Sequence, residues 1–127
     1  MSTWSVDTSQ EQALADRLGE LGPELMDGLH EATKDAGTAM RDGWRTNAKR
    51  TSGSHGKKYP RTIRASTSSG EDWAEADVYS VSPAARGYEY GSRNQPPHLD
   101  AAKAYPAAER DWRDGCDTAL ARALEKL

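Results

Sequence analysis

Residues Leu14–Trp44 read LADRLGELGPELMDGLHEATKDAGTAMRDGW. Leu14, Leu18, Leu21, Leu25, Leu29, Ala32, Ala36, Met40 and Trp44 recur at steps of four and three, which puts them on one face of a 3.6-residue helix. Asp7, Thr8 or Ser9 can cap its start, and Glu11 falls in the first turn, where the helix dipole favours negative charge. The pattern predicts helix over 9–48. Gly22-Pro23 interrupts it, because Pro23 lacks an N–H and its ring crowds the preceding turn. The expectation there is a kink, or two abutting helices with the second starting near Pro23.

A second helical stripe closes the chain. Ala101, Tyr105, Ala108, Trp112, Cys116, Ala119, Ala123 and Leu127 again step by four and three. Pro106 suits only a first turn, so the helix is expected over 104–126. Gly115 inside it costs about 1 kcal/mol relative to alanine. Cys116 lies on the apolar stripe and reads as a packing residue.

Between the helices the period changes to two. Tyr59–Ser66 alternates, with Tyr59, Arg61, Ile63 and Ala65 on one face. Trp73–Val81 alternates as well, setting Ala74, Ala76, Val78 and Ser80 against the other side. Thr67–Asp72 is rich in turn formers and reads as a hairpin connection. A two-stranded hairpin is marginal alone, so it must lie on a helix or gain a partner strand. Residues 83–91 suit either a short helix or a third strand at Gly87–Tyr90. Residues 51–58, with two glycines and two serines, read as a flexible basic loop. The resulting class is α+β in one domain: a long N-terminal helix, a small antiparallel sheet and a C-terminal helix.

The chain has 127 residues, 35% apolar, with four Trp, five Tyr and no Phe. Large amphipathic aromatics on so polar a chain mean partial disorder alone or a core completed against neighbouring subunits. The regular helical stripes favour the second. The net charge of −3 hides segregation: 1–40 carry −6, 41–64 carry +7 and 65–127 carry −4. The cations are Arg41, Arg45, Lys49, Arg50, Lys57, Lys58, Arg61 and Arg64. Such blocks fit head-to-tail association, a face turned to a polyanion, or a solvated basic loop.

Chemistry is sparse. One cysteine excludes an internal disulfide. His30, His55 and His98 lack metal-ligand spacing, so neither a metal nor another cofactor is expected. No nucleophile elbow or phosphate-binding glycine loop occurs. The acidic cluster Glu71, Asp72, Glu75 and Asp77 reads as a charge-protected strand edge. The chain therefore reads as a non-enzyme. No apolar run approaches the roughly 18 residues of a membrane span. Met1–Ser5 has no secretory-signal character, which sets an expectation of cytoplasmic synthesis. Long-stemmed cations over 41–64 also suit non-specific phosphate binding, without base-reading geometry.

The most specified loop is Gly87-Tyr88-Glu89-Tyr90-Gly91-Ser92-Arg93-Asn94-Gln95-Pro96-Pro97-His98, before the small-residue run Ala101, Ala102, Ala104. With Tyr59-Pro60-Arg61-Thr62-Ile63 and the element order, it resembles the small neck proteins of long-tailed bacteriophages. These are the tail-completion or head–tail joining family, minor capsid type, in the form carried by phages of actinobacteria. Tyr88, Glu89, Tyr90, Gly91, Pro97 and His98 match the family's aromatic-Glu-aromatic-Gly turn and its proline-rich step into the last helix. Two features differ: a Pro-x-x-Thr-Gly-x-Leu segment is missing, and Pro97-His98-Leu99 stands where many members have Pro-Phe-Leu.

The resemblance implies a structural virion protein at the head–tail junction, assembled in the host cytoplasm. It implies a homo-oligomeric ring, expected to be hexameric, between the head connector or stopper and the tail terminator or tail-tube proteins. Transient DNA passage through the lumen follows, with the 41–64 cations facing DNA or a neighbouring subunit. Tyr88, Glu89, Tyr90, Gly91, Arg93, Pro97 and His98 are expected to hold a neighbour, with Glu89 accepting a bond from backbone or from an arginine. The alternative is a small nucleic-acid-binding accessory protein that uses residues 41–64.

Overall fold

The computed structural model describes residues 9–93 and 95–126. Helix α1 spans Ser9–Thr51 and helix α3 spans Asp100–Leu124. Between them lie strands β1 (Ile63–Ser69) and β2 (Ala74–Ser80) and the short helix α2 (Ala85–Tyr90). The α+β architecture expected from the sequence is present.

Helix α1 is continuous through Pro23, so two abutting helices do not form. The preceding Gly22 explains part of the tolerance: proline crowds the Cβ of the residue before it, and glycine has none. The cap expected at Asp7 or Thr8 lies outside the described residues.

Helices α1 and α3 run antiparallel, and their contact is made by the smallest side chains. Gly28 faces Ala119, Ala32 faces Gly115 and Gly43 faces Ala104. A Cβ on Gly28 would stand 2.6 Å from that of Ala119, and one on Gly115 2.9 Å from that of Ala32. Such close approach fixes the register but buries little apolar area per residue. Ala104, Ala108, Ala119 and Ala123 are the buried alanines of α3, whereas Tyr105 and Trp112 of the stripe are exposed. The true core face is thus rotated from the stripe read off the sequence, because the helices approach through alanine and glycine rather than through rings.

The two strands pair antiparallel, Ile63 opposite Ser80 through Ser69 opposite Ala74. Ile63 and Ala65 face inward beneath α1, as do Ala74, Ala76 and Val78, in agreement with the alternation. Tyr59–Thr62 is a 3-10 turn rather than the first part of the strand. Pro60 suits that turn, and Thr62 Oγ1 donates to the Tyr59 carbonyl at 2.6 Å to close it. The region 51–58 is also structured: α1 reaches Thr51, and a 3-10 turn spans Ser54–Gly56. A Cβ on Gly56 would meet the Tyr88 hydroxyl at 3.0 Å. Residues 87–90 are helical, not a third strand.

Helix α3 begins at Asp100 rather than near Ala104, with Pro106 inside it. The core cluster of Trp44, Ala48, Tyr59, Ile63 and Ala104 gathers where the C-terminal end of α1 meets the N-terminal end of α3.

Candidate interaction surfaces

The turn joining α2 to α3 is built around a buried carboxylate. Glu89 is 7% exposed. Its Oε1 accepts from the Ala101 N–H at 2.9 Å and its Oε2 from the Ala102 N–H at 3.0 Å. These are orphan donors of the first turn of α3, where the helix dipole also favours an anion. This cap is why α3 starts early. Leu99 takes the left-handed conformation (φ 54°), and its N–H bonds to the Glu89 carbonyl at 3.1 Å. Gly91 also has a positive φ (87°), and a Cβ there would stand 3.0 Å from the Pro97 ring.

The turn is fastened to α1 by Asp100, which is 1% exposed. Its carboxylate accepts from Thr51 Oγ1 at 2.8 and 3.0 Å, and its carbonyl accepts from Asn47 Nδ2 at 3.0 Å. Tyr88 stacks on Tyr59 with centroids 4.2 Å apart, and His98 lies against Tyr88. Burial pushes the Tyr59 phenol above its ordinary value of 10.0. The nearby Trp44 indole pulls the other way without reaching hydrogen-bond geometry, and Glu89 and Asp100 add to the rise.

The seven loop residues expected to hold a neighbour therefore divide. Glu89 turns inward and binds backbone of its own chain. Tyr88 stacks on Tyr59, and His98 packs against Tyr88. Arg93 and Pro97 remain exposed, as does Tyr90 at 72%.

The basic segment divides too. Arg45 is part-buried, and its guanidinium donates twice to the Ile63 carbonyl, at 2.9 and 2.5 Å. It clamps the outer edge of β1 instead of facing solvent. Arg41 pairs with Asp42 at 3.1 Å. Lys49, Arg50, Lys57, Lys58, Arg61 and Arg64 are exposed. Lys49 and Arg61 flank one shallow cleft, with Arg45 and Pro60. Lys57 and Lys58 border another, beside Tyr59 and Tyr88. The cations thus spread around one end of the molecule.

A third surface was not anticipated. A groove of about 260 Å³ lies between β2 and α3, floored by Gly37 and Met40 of α1 and bordered by Val78, Tyr105 and Trp112. Tyr105 is 56% and Trp112 42% exposed, and Trp112 Nε1 donates to Thr33 Oγ1 at 3.1 Å. The sequence signal was present: both rings sit on the stripe assigned to the core. Periodicity places rings and alanines on the same stripe and does not reveal which of them faces α1.

Among the described residues no group of His, Cys, Asp or Glu is arranged to hold a metal ion, and no helix is long and apolar enough to cross a membrane. Burial raises the Cys116 thiol above its ordinary value, with Asp117 adding to the rise, which favours the less reactive thiol form. No family model, no curated protein and no solved structure matches this chain.

Proposed function

We propose that this chain is a structural subunit of the neck of a long-tailed bacteriophage. It forms an oligomeric ring that joins the DNA-filled head connector to the tail tube and carries no catalytic step. The observation that supports this reading is the inversion of the usual core. Most of the buried apolar residues are alanines, while Trp73, Tyr79, Tyr90, Tyr105 and Trp112 stand at the surface. Aromatics are enriched where subunits meet, and a ring subunit must cover surface on both flanks through heterologous contacts. The matching residues of the Tyr88–His98 loop supply the family.

The test is a reconstruction of the head–tail junction of the virion, together with a gene deletion. The expected result is density for this chain as a closed collar, and free heads and tails without it. Virions that lack the protein, or that join normally after deletion, overturn the reading.

A second reading is favoured by the six exposed cations around the end of α1: non-specific binding of nucleic acid, or contact with DNA in the lumen. Counterion release makes such binding steeply salt-dependent. The combined Lys57→Ala, Lys58→Ala and Arg61→Ala variant should lose a DNA gel shift seen at low salt. An unchanged shift removes this reading.

A further inference from the structure

Opposite charges stand on two separate faces of this chain, and most of them have no partner within it. Lys49, Lys57, Lys58, Arg61 and Arg64 are exposed and make no ion pair or side-chain hydrogen bond among the described residues. Arg50 reaches only Asn47 Oδ1, at 3.2 Å. The carboxylates nearest this end do not neutralise them. Glu89 and Asp100 are buried and already accept from the Ala101 and Ala102 N–H groups and from Thr51.

The acidic face lies nearer the start of α1. Glu24, Asp27, Glu31 and Asp35 follow one another at steps of three and four, and all four are exposed. They border a groove of about 550 Å³ between α1 and α3. Gly28, Ala32, Gly115 and Ala119 line it with almost no side chain, which keeps it concave. Arg122 is the one cation among the described lining residues. Glu24 pairs with Lys126, whereas Asp27, Glu31 and Asp35 pair with no cation among the described residues. Such a trough suits a lysine or arginine, whose stem covers apolar surface while its head meets a carboxylate.

The two faces do not neutralise each other within one copy. Along α1 Asp35 and Lys49 are about 21 Å apart at 1.5 Å per residue, and exposed charges are screened beyond about 10 Å at 0.1 M salt. Nucleic acid covers the basic face only and is repelled by the acidic one. A second copy carries the complement of both. We infer that the cationic end of one copy, with Lys57, Lys58 and Arg61, docks in the acidic groove of a second copy, against Asp27, Glu31 and Asp35. Donor and acceptor are different surfaces, so each subunit gives at one end and receives at the other. That is a heterologous contact, which closes into a ring when its rotation permits. The inference rests on the self-association in the proposed function and not on the phage assignment.

The test reverses charge in the full chain. One variant carries Lys57→Glu, Lys58→Glu and Arg61→Glu, and the other carries Asp27→Lys, Glu31→Lys and Asp35→Lys. All six positions are exposed, and circular dichroism melting checks that both variants stay folded. Sedimentation follows each chain across concentration and salt. The expected result is a parent oligomer that loosens as salt rises, with association at least about tenfold weaker in either variant by itself. An equimolar mixture should regain association, since the reversed end of one variant fits the reversed groove of the other.

A second measurement locates the contact in the unaltered chain. Carbodiimide coupling joins touching amines and carboxylates, and peptide mass spectrometry should find Lys57 or Lys58 joined to Asp27, Glu31 or Asp35 in the oligomer only. Oligomers that persist in both variants, with no such coupling, overturn this inference and leave the ring reading standing. Failure of the mixture to regain association overturns it as well. A closed dimer that depends on both charge sets supports the inference and removes the ring. A chain that stays monomeric at every concentration in low salt overturns both.

Discussion

Glu89 offers the sharpest separation between a partner-binding loop and an internal fastener. Its two carboxylate oxygens hold the Ala101 and Ala102 N–H groups at 2.9 and 3.0 Å while the side chain is 7% exposed. Hydrogen bonds to a charged group contribute about 1.5–3 kcal/mol each. The two share one carboxylate, so we set the loss in Glu89→Ala at about 3–4 kcal/mol rather than the full sum. Glu89→Gln keeps the shape and one acceptor oxygen but points an amide N–H at a backbone N–H. It should lose one bond and the dipole interaction, about 1.5–3 kcal/mol.

For the 127 residues of the chain, unfolding entropy is about 0.27 kcal/mol/K at ~2.1 cal/mol/K per residue. The melting temperature should therefore fall by roughly 11–15 °C for alanine and 6–11 °C for glutamine. Circular dichroism melts of the dilute protein, below its association range, measure this directly. If Glu89 instead holds a neighbour, both variants melt within a degree or two of the parent and only assembly suffers. That outcome would refute the cap as its main role.

Four further outcomes follow from the same geometry. Gly28→Ala gains about 1 kcal/mol of helix propensity but drives a methyl into Ala119, and overpacking costs about 1–3 kcal/mol, so urea denaturation should show a net loss of up to about 2 kcal/mol. Gly28→Leu has no such offset and should prise α1 from α3, seen as lost near-ultraviolet dichroism of Trp112. Arg45→Ala leaves the Ile63 carbonyl without its donor and should cost about 1.5–3 kcal/mol in urea denaturation, while DNA retention stays near the parent value. The raised Tyr59 phenol keeps its proton longer in the folded chain than in the unfolded one. Its contribution is therefore intact below pH 10 and is lost as pH rises through and above that value; Tyr59→Phe should flatten this part of a stability profile measured from pH 9 to 11. Amide exchange in the dilute protein should be slowest around Trp44, Ile63 and Ala104 and faster along the α1–α3 contact near Gly28 and Ala119.

The fold was legible where periodicity and burial coincide. The apolar steps of α1 from Leu21 onward and the alternation of β2 were legible because each of these elements turns one face inward. The start of α3 was not legible, since it depends on Glu89 reaching across twelve residues of sequence to replace a local cap. Proline position alone pointed to a later start. Tyr59–Thr62 looked like strand because its alternation continues into Ile63, but Pro60 and the Thr62 hydroxyl make a tighter turn locally favourable. In the sequence Arg45 is one of the eight cations of residues 41–64. Its withdrawal to a strand carbonyl depends on where β1 lies in space, which no spacing reveals. The aromatic loop, read from its sequence as a neighbour-holding element, builds the junction of its own helices through Glu89.

These details place stability and association at different parts of the molecule. At one end Trp44, Tyr59, Tyr88 and Ile63 interlock, and the Glu89 and Asp100 carboxylates tie three elements together. Away from it the α1–α3 contact relies on glycine and alanine, with Lys126 and Glu24 paired near its far limit. Small residues hold a register well because backbones approach closely, but each buries little apolar surface, and stabilisation scales with that surface. Tyr105, beside the core cluster, and Trp112, nearer the glycine–alanine contact, leave much of their area in water. Covering them would add apolar burial that the isolated chain lacks. Such a subunit is ordered enough at one end to present a defined surface and gains its remaining rigidity from a neighbour, so folding and assembly reinforce each other without a large core in any single copy.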